Sequence, residues 1–313
     1  MTGDGWQPGA SPTALVARAG LLTRIREFFQ QRGVLEVETP LLCAGTVTDP
    51  NITPIASADR WLQTSPEYAM KRLLAADSGP IYQICKAFRH AEAGTRHNPE
   101  FTLLEWYRPG FSLADLMEEV GALLSEILGR QDWQRCSYRQ LFQDYLQLDP
   151  FTADLASLEA FVRARLDISF KPDHRDVWLD LLLSHLIEPQ LAERGLLFVY
   201  DYPATQAALA RLRRDGEHVV AERFELYVDG MELANGYCEL TDAAEQAARF
   251  TRDNELLAQA GSAPRAVDQR LLQALEQGLP ACSGVALGVD RLLMMLTGAA
   301  SVAEVISFDW DRA

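Results

Sequence analysis

Residues 222–240 read ERFELYVDGMELANGYCEL, and the Asp229-Gly230 pair at their centre constrains the fold more than any other short feature of the chain. Asp-Gly between two alternating runs is the signature of a two-residue hairpin, since both turn residues must take positive φ. Such a turn sets the register, with Val228 opposite Met231 and Tyr227 opposite Glu232. Glu225 stands two residues from Tyr227, so Glu225 and Glu232 are expected as diagonal neighbours on one face. Two adjacent carboxylates repel unless a cation lies between them, and hard oxygen ligands suit Mg²⁺, which also binds phosphates. A solvent-facing acidic hairpin accounts for this fragment about equally well. Glu239 follows Glu232 by seven residues, which in a regular strand puts the two on opposite faces. A bulge at Asn235-Gly236 would change that. Asn235, Tyr237 and Glu239 share a face that could hold an organic ammonium by charge and cation–π contact, unless this is only an edge strand of mixed polarity.

The rest of the chain alternates irregularly between the two periodicities. Apolar residues at helical spacing run through Ala14 to Gln31 and stop at Gly33, and GVLEVETPLL alternates as a strand up to Pro40. A short strand is expected at Trp61 to Thr64. A helix follows with Ser65 as N-cap, Pro66 at its first position and Glu67 in its first turn. Pro80 to Phe88 and Phe101 to Tyr107 read as strands flanking a long loop. From Ser112 to about Arg194 the pattern is mainly helical, with segments at Leu113–Leu128, Tyr138–Leu146, Leu155–Leu166 and Val177–Leu191. Strands return at Leu196–Tyr200, Phe224–Val228 and Met231–Leu240, then helices at Ala243–Ala260 and Val267–Gly278. Strands without regular βαβ alternation predict an α+β fold. The expected organisation is a flexible lead-in over residues 1–13 and one domain over 14–313, with a helical insertion at about 112–194.

The stretch FRHAEAGTRHNPEFTLLEWY, from Phe88 to Tyr107, concentrates cations and carboxylates in a chain of net charge −15, with 29 Lys plus Arg against 44 Asp plus Glu. So acidic a chain is a poor non-specific binder of nucleic acid or anionic membrane. No apolar run is long enough for a membrane span. Five scattered cysteines without a CxxC pair fit reduced thiols in the cytosol, and the five histidines lack zinc-ligand spacing. GVALGVDRLLMM places Gly284 and Gly288 ahead of a helix that opens with Arg291. Glycines admit close approach of a ligand, and a helix N-terminus with an arginine favours an anion. Arg291 paired with Asp290 or a core carboxylate is the plain alternative. Neither GxxxxGK[ST] nor GxGxxG after a strand is present, and no GxSxG elbow occurs. Two arginines, two same-face glutamates and an ammonium pocket together suggest a site for a nucleoside triphosphate and an amino acid, held by some other fold.

Those segments carry a resemblance. GVLEVETPLL, FRHAEAGTRHNPEFTLLEWY and GVALGVDRLLMM resemble motifs 1, 2 and 3 of the class II aminoacyl-tRNA synthetases. TSPEYAMKRLL, HNPEF and ERFELYVDGMELANGYCELTD resemble lysyl-tRNA synthetase in particular. Lysyl synthetases carry an anticodon-binding barrel ahead of the catalytic part, whereas here the pattern begins near Arg18. The chain is therefore similar to the free-standing elongation factor P–lysine ligases, as EWYRP and the closing AEVISFDWDRA also are.

The resemblance implies ATP-dependent activation of lysine, preferably (R)-β-lysine, and transfer to a lysine side chain of elongation factor P, without tRNA. It implies that Arg89, with Arg291 and Gly288, holds ATP, that Asn98 positions it, and that His90, Ala91 and Glu92 lie beside it. Ser65, Pro66, Glu67, Glu105 and Tyr107 would line the amino-acid pocket. Glu225 and Glu232 would serve Mg²⁺–ATP, Leu233 the nucleotide, and Asn235 and Glu239 the substrate ammonium. Pro40 would sit at a homodimer interface, in the cytoplasm. Two departures stand out. Lysyl synthetases have RNE where this chain has Arg89-His90-Ala91, delaying the carboxylate to Glu92, and they have Gly at the position of Ala286. The extra methyl is expected to reshape the pocket floor against α-lysine. A truncated tRNA-charging enzyme and a non-catalytic amino-acid-binding protein are the competing readings.

Overall fold

The computed structural model describes residues 6–90, 92–170, 172 and 174–313. In chain order the first elements are α1 (Pro12–Gln31), β1 (Leu35–Glu36), β2 (Leu42–Cys43), β3 (Ala56–Ser57), β4 (Arg60–Leu62), α2 (Glu67–Ala75), β5 (Ile81–Phe88), β6 (Glu100–Pro109) and α3 (Leu113–Leu128). Next come β7 (Trp133–Ser137), α4 (Tyr138–Leu146), α5 (Leu155–Arg163), α6 (Arg175–Leu182), β8 (Leu196–Pro203), β9 (Leu212–Asp215), β10 (His218–Val228) and β11 (Met231–Cys238). The chain closes with α7 (Ala243–Gln259), α8 (Gln269–Gly278), β12 (Cys282–Gly288) and α9 (Val289–Thr297). The fold is α+β, with mostly antiparallel strand pairs; β1 with β5 and β7 with β8 are parallel. Contacts divide it into two compact units, Met1–Gly129 with Thr241–Ala313, and Arg130–Leu240.

In the first unit the strands run in the order β1-β5-β6-β12. Register gives this sheet two unlike faces. Tyr82 pairs with Trp106, and Trp106 with Val285, on the face that packs against α1; Phe29 stacks on Tyr82 at 4.4 Å and meets Trp106 edge-on at 5.3 Å. One residue further along each strand, Gln83 pairs with Glu105 and Glu105 with Ala286, so the opposite face is polar. Strand β4 lies between β2 and β3 in a separate three-stranded sheet. The strand expected to run up to Pro40 is shorter, since β1 covers only Leu35–Glu36, and the chain resumes pairing beyond Pro40 as β2 in the other sheet. The lead-in also differs from expectation. Gly9 and Ala10 donate backbone hydrogen bonds to Ser307 and Ile306, Ala10 is buried, and Ser11 caps α1 by accepting from the Ala14 N–H. The expected flexibility does not extend through residue 13.

In the second unit the order is β11-β10-β8-β7, with β9 on the outer part of β10. Tyr138 and Phe142 of α4, Leu158 and Val162 of α5, and Trp178 and Leu179 of α6 bury their side chains with Leu197, Val199 and Tyr202 of β8. Several elements depart from the sequence pattern. The supposed helical middle contains strand β7, and its first helix, α3, belongs to the other unit. The expected helix Val177–Leu191 ends as α6 at Leu182 and continues as a π turn and a 3₁₀ helix over Glu188–Arg194. Pro189, near the start of that segment, has no N–H for a regular helix. Strand β10 begins at His218 rather than Phe224. Among the described residues no helix is long and apolar enough to cross a membrane.

Candidate active site

The polar face of the first sheet carries a carboxylate pocket. Glu105, on the middle of β6, is 2% exposed and accepts hydrogen bonds from Ser65 Oγ at 2.7 Å and Tyr107 OH at 2.8 Å. Ser65 precedes α2 and also accepts the Glu67 N–H at 3.1 Å, while Pro66 occupies the N-cap position expected for Ser65. One turn along α2, Lys71 Nζ lies 2.6 Å from Glu67 Oε1, and Lys71 is 1% exposed. Burial, reinforced by the neighbouring Glu67 charge, pushes the Glu105 carboxyl up to about 7, against the hydrogen bonds from Ser65 and Tyr107 and the charge of Lys71. Ala286 stands directly opposite Glu105 across the β6–β12 ladder, and Gly284 opposite Tyr107. The sequence thus brought Ser65, Pro66, Glu67, Glu105, Tyr107 and Ala286 to one place. It missed Lys71 and Gln83, although the Glu67–Lys71 spacing of four on a helix is a readable pair.

The loop between β5 and β6 gathers cations. Arg89 continues from β5 with its guanidinium over Phe101, 5.1 Å from the ring centroid, and with its Nε buried and lacking a hydrogen-bond partner. Glu92 Oε1 is 3.8 Å from Arg89 Nη1. The carboxylate delayed by one position relative to lysyl synthetases therefore turns back on the arginine; Ala91 lies outside the described residues. Gly288 pairs with Leu103 at the end of β12 and precedes α9. From the first turn of α9, Arg291 reaches the Arg96 carbonyl at 3.3 Å and His97 Nε2 at 2.5 Å. Burial and the Arg291 charge lower the His97 pKa, which suits a neutral ring accepting from the guanidinium. Asp290 pairs with Arg18 and accepts the Thr102 N–H at 2.7 Å, so it is not the partner of Arg291. The His90 N–H donates to the Thr53 carbonyl at 2.8 Å. Asn98 also has a structural role: its amide donates to the Glu100 carbonyl at 2.7 Å and accepts the Trp310 N–H at 2.9 Å, which ties the loop to the C-terminal segment and leaves one N–H and one lone pair of the amide for a ligand.

In the second unit the hairpin has the expected turn, with Asp229 and Gly230 at φ 49° and 77°, and the expected pairs Val228–Met231 and Tyr227–Glu232. Asp229 also makes a two-pronged ion pair with Arg130, at 2.8 and 2.7 Å. The next pair is Leu226–Ala234, so the register shifts there and Leu233 is the extra residue, 2% exposed. The bulge exists, but at Leu233 and not at Asn235-Gly236. It has the consequence sought from the seven-residue spacings, because Arg223 then pairs with Tyr237 and Glu225 with Asn235. Arg223, Glu225, Tyr227, Glu232, Asn235 and Tyr237 share one face, and Glu239 continues it two residues on.

Glu225 does not stand open on that face. Its Oε1 is paired with Arg223 Nη2 at 2.5 Å, and its Oε2 accepts from Tyr202 OH and Tyr227 OH, each at 2.7 Å. Burial disfavours charge on Arg223, but the Glu225 charge outweighs it and holds the guanidinium protonated. Burial and the same carboxylate push both tyrosines well above their ordinary range. Asn235 Oδ1 is buried without a hydrogen-bond partner, and Glu239 is 2% exposed. Among the described residues no cluster of three or more Asp, Glu, His or Cys could hold a metal by itself. Glu232 with the locked Glu225 would fit Mg²⁺ only in the way a nucleotide site does, with phosphate oxygens and water completing the shell.

The sequence model of the family tRNA synthetases class II (D, K and N) matches residues 10–312. Elongation factor P–(R)-beta-lysine ligase of Salmonella gallinarum (strain 287/91 / NCTC 13346) is 49% identical to this chain over 321 residues, covering 98% of each protein. The protein of the same name from Salmonella paratyphi A (strain ATCC 9150 / SARB42) matches with the same identity and coverage.

Proposed function

Given that the chain belongs to the class II tRNA synthetase family, we propose that it is an ATP-dependent ligase that activates (R)-β-lysine as its adenylate and transfers it to a lysine side chain of elongation factor P. The observation that carries this reading is the 49% identity, over 98% of both chains, to ligases of that name.

The geometry supports a division of labour. Arg89, whose buried Nε lacks a partner, holds the α-phosphate, and Arg291 holds the far end of the triphosphate with His97 beside it. Neutralising phosphate charge as it develops is most of what adenylation asks of a protein. Mg²⁺ bound with ATP would supply further neutralisation, with Glu232 the carboxylate that would help hold it; Glu225 fixes Arg223 and the face around it. Ser65, Glu67, Glu105 and Tyr107 line the amino-acid pocket, and Asn235 and Glu239 bind the substrate ammonium. The lysine carboxylate attacks the α-phosphorus and releases pyrophosphate; a neutral amine of the acceptor protein then attacks the adenylate carbonyl and releases AMP. A net charge of −15 supports a protein acceptor over tRNA. Leu35 at 57% exposure and Leu42 at 50%, flanking Pro40, support an interface between two copies of the chain.

ATP–pyrophosphate exchange tests the first step. Exchange that requires (R)-β-lysine and falls to background in Arg89→Ala is expected. Exchange with neither lysine isomer in the unaltered protein would refute the reading.

A further inference from the structure

Gln83 lies on β5 directly opposite Glu105, on the polar face of the sheet, and is 3% exposed. The neighbouring polar side chains each have a partner. Ser65 and Tyr107 donate to Glu105, Lys71 is held by Glu67, and Gln63 donates to the Lys86 carbonyl at 2.7 Å and the Cys85 thiol at 3.3 Å. Burial and the Glu105 charge push that thiol up to about 12. The Gln83 Oε1 atom is buried and has no hydrogen-bond partner. Buried polar atoms of this kind are rare, and each calls for a reason.

We propose that Gln83 is a substrate-contacting residue whose Oε1 accepts a hydrogen bond from an ammonium group of the amino-acid substrate. This deepens the lysine-ligase reading and rests on it. The chemistry favours a cationic donor over a hydroxyl. The acceptor stands opposite a carboxyl whose pKa burial has raised, so an arriving ammonium meets Gln83 as a neutral acceptor and Glu105 as a group that can ionise in response. A neutral amide also avoids placing a third carboxylate beside Glu67 and Glu105. Lys71 already engages Glu67, so Gln83 Oε1 and Glu105 are the acceptors that this pocket offers to a ligand.

Gln83→Met keeps the length and volume of the side chain and removes the acceptor. The expected result is a rise of roughly ten- to a hundredfold in KM for (R)-β-lysine in ATP–pyrophosphate exchange, the worth of one hydrogen bond to a charged group. KM for ATP stays within about twofold, and the melting temperature of the ligand-free protein is unchanged or higher, since an unsatisfied acceptor has been removed. An unchanged KM for the amino acid overturns the proposal. A variant that fails to fold or melts lower also overturns it, because the amide is then a structural group. Absence of exchange in the unaltered protein removes the ligase reading and this proposal with it. Exchange in the unaltered protein with no effect of Gln83→Met removes the proposal alone.

Discussion

Replacing Glu105 by Gln should change how stability depends on pH, by an amount the pocket sets. Folding raises the Glu105 carboxyl from the usual 4.5 to about 7, mainly through burial and then through the Glu67 charge. Between those values the folded chain holds a proton that the unfolded chain releases, so this group makes stability fall as pH rises. At 1.36 kcal/mol per pH unit the whole effect is roughly 3 kcal/mol. Most of this is lost between pH 5 and pH 8. Glu105→Gln deletes the titration while keeping a group that can bond Ser65 and Tyr107. Urea unfolding of both ligand-free proteins across pH 5 to 8 provides the comparison. Any loss from imperfect amide geometry shifts the variant by a constant; the reasoning concerns the slope. The variant should gain on the unaltered protein by roughly 2–3 kcal/mol over that range, most of it below pH 7. Parallel profiles would refute the account of a half-protonated carboxyl in the pocket.

Two further outcomes follow from the same geometry. Arg223→Met leaves the buried Glu225 carboxylate without its counter-charge, held only by the two tyrosine hydroxyls, and should cost about 3–5 kcal/mol in unfolding experiments; adding Glu225→Gln should restore part of it, and a harmless single variant would contradict Arg223 as the counter-charge. Ala286→Gly opens the position opposite Glu105 and should raise exchange with α-lysine relative to (R)-β-lysine by about tenfold, whereas an unchanged ratio would remove Ala286 as a selectivity element.

The parts of this protein legible in sequence were those governed by local rules. Asp229-Gly230 demands positive φ at both residues, and its register followed. Ser65, Glu67, Glu105 and Tyr107 were legible through resemblance, and the Arg89 and Arg291 clusters through their charge. Other features depend on contacts that no local pattern encodes. Leu233 bulges because Ala234 returns to register opposite Leu226, and no sequence mark separates it from Asn235-Gly236 as the site of the bulge. The structural bond from the Trp310 N–H to the Asn98 carbonyl comes from a residue 212 positions away, which no local pattern announces. Glu225 resembles an open metal ligand until Tyr202 arrives from β8. The turn joining β9 to β10 is Gly216-Glu217, with Gly216 at φ 59°, and its glycine is a readable local signal. Strand β9 is short and arginine-rich, so the hydrophobic alternation that would have confirmed it is weak.

The central claim is that the chain attaches a lysine isomer to a protein. Intact-mass analysis of elongation factor P after incubation with this protein, ATP and either α-lysine or (R)-β-lysine tests it most directly. The account predicts the gain of one lysyl residue, strongest with (R)-β-lysine and lost in Glu239→Ala. No change in mass with either isomer, from a preparation active in pyrophosphate exchange, would contradict it.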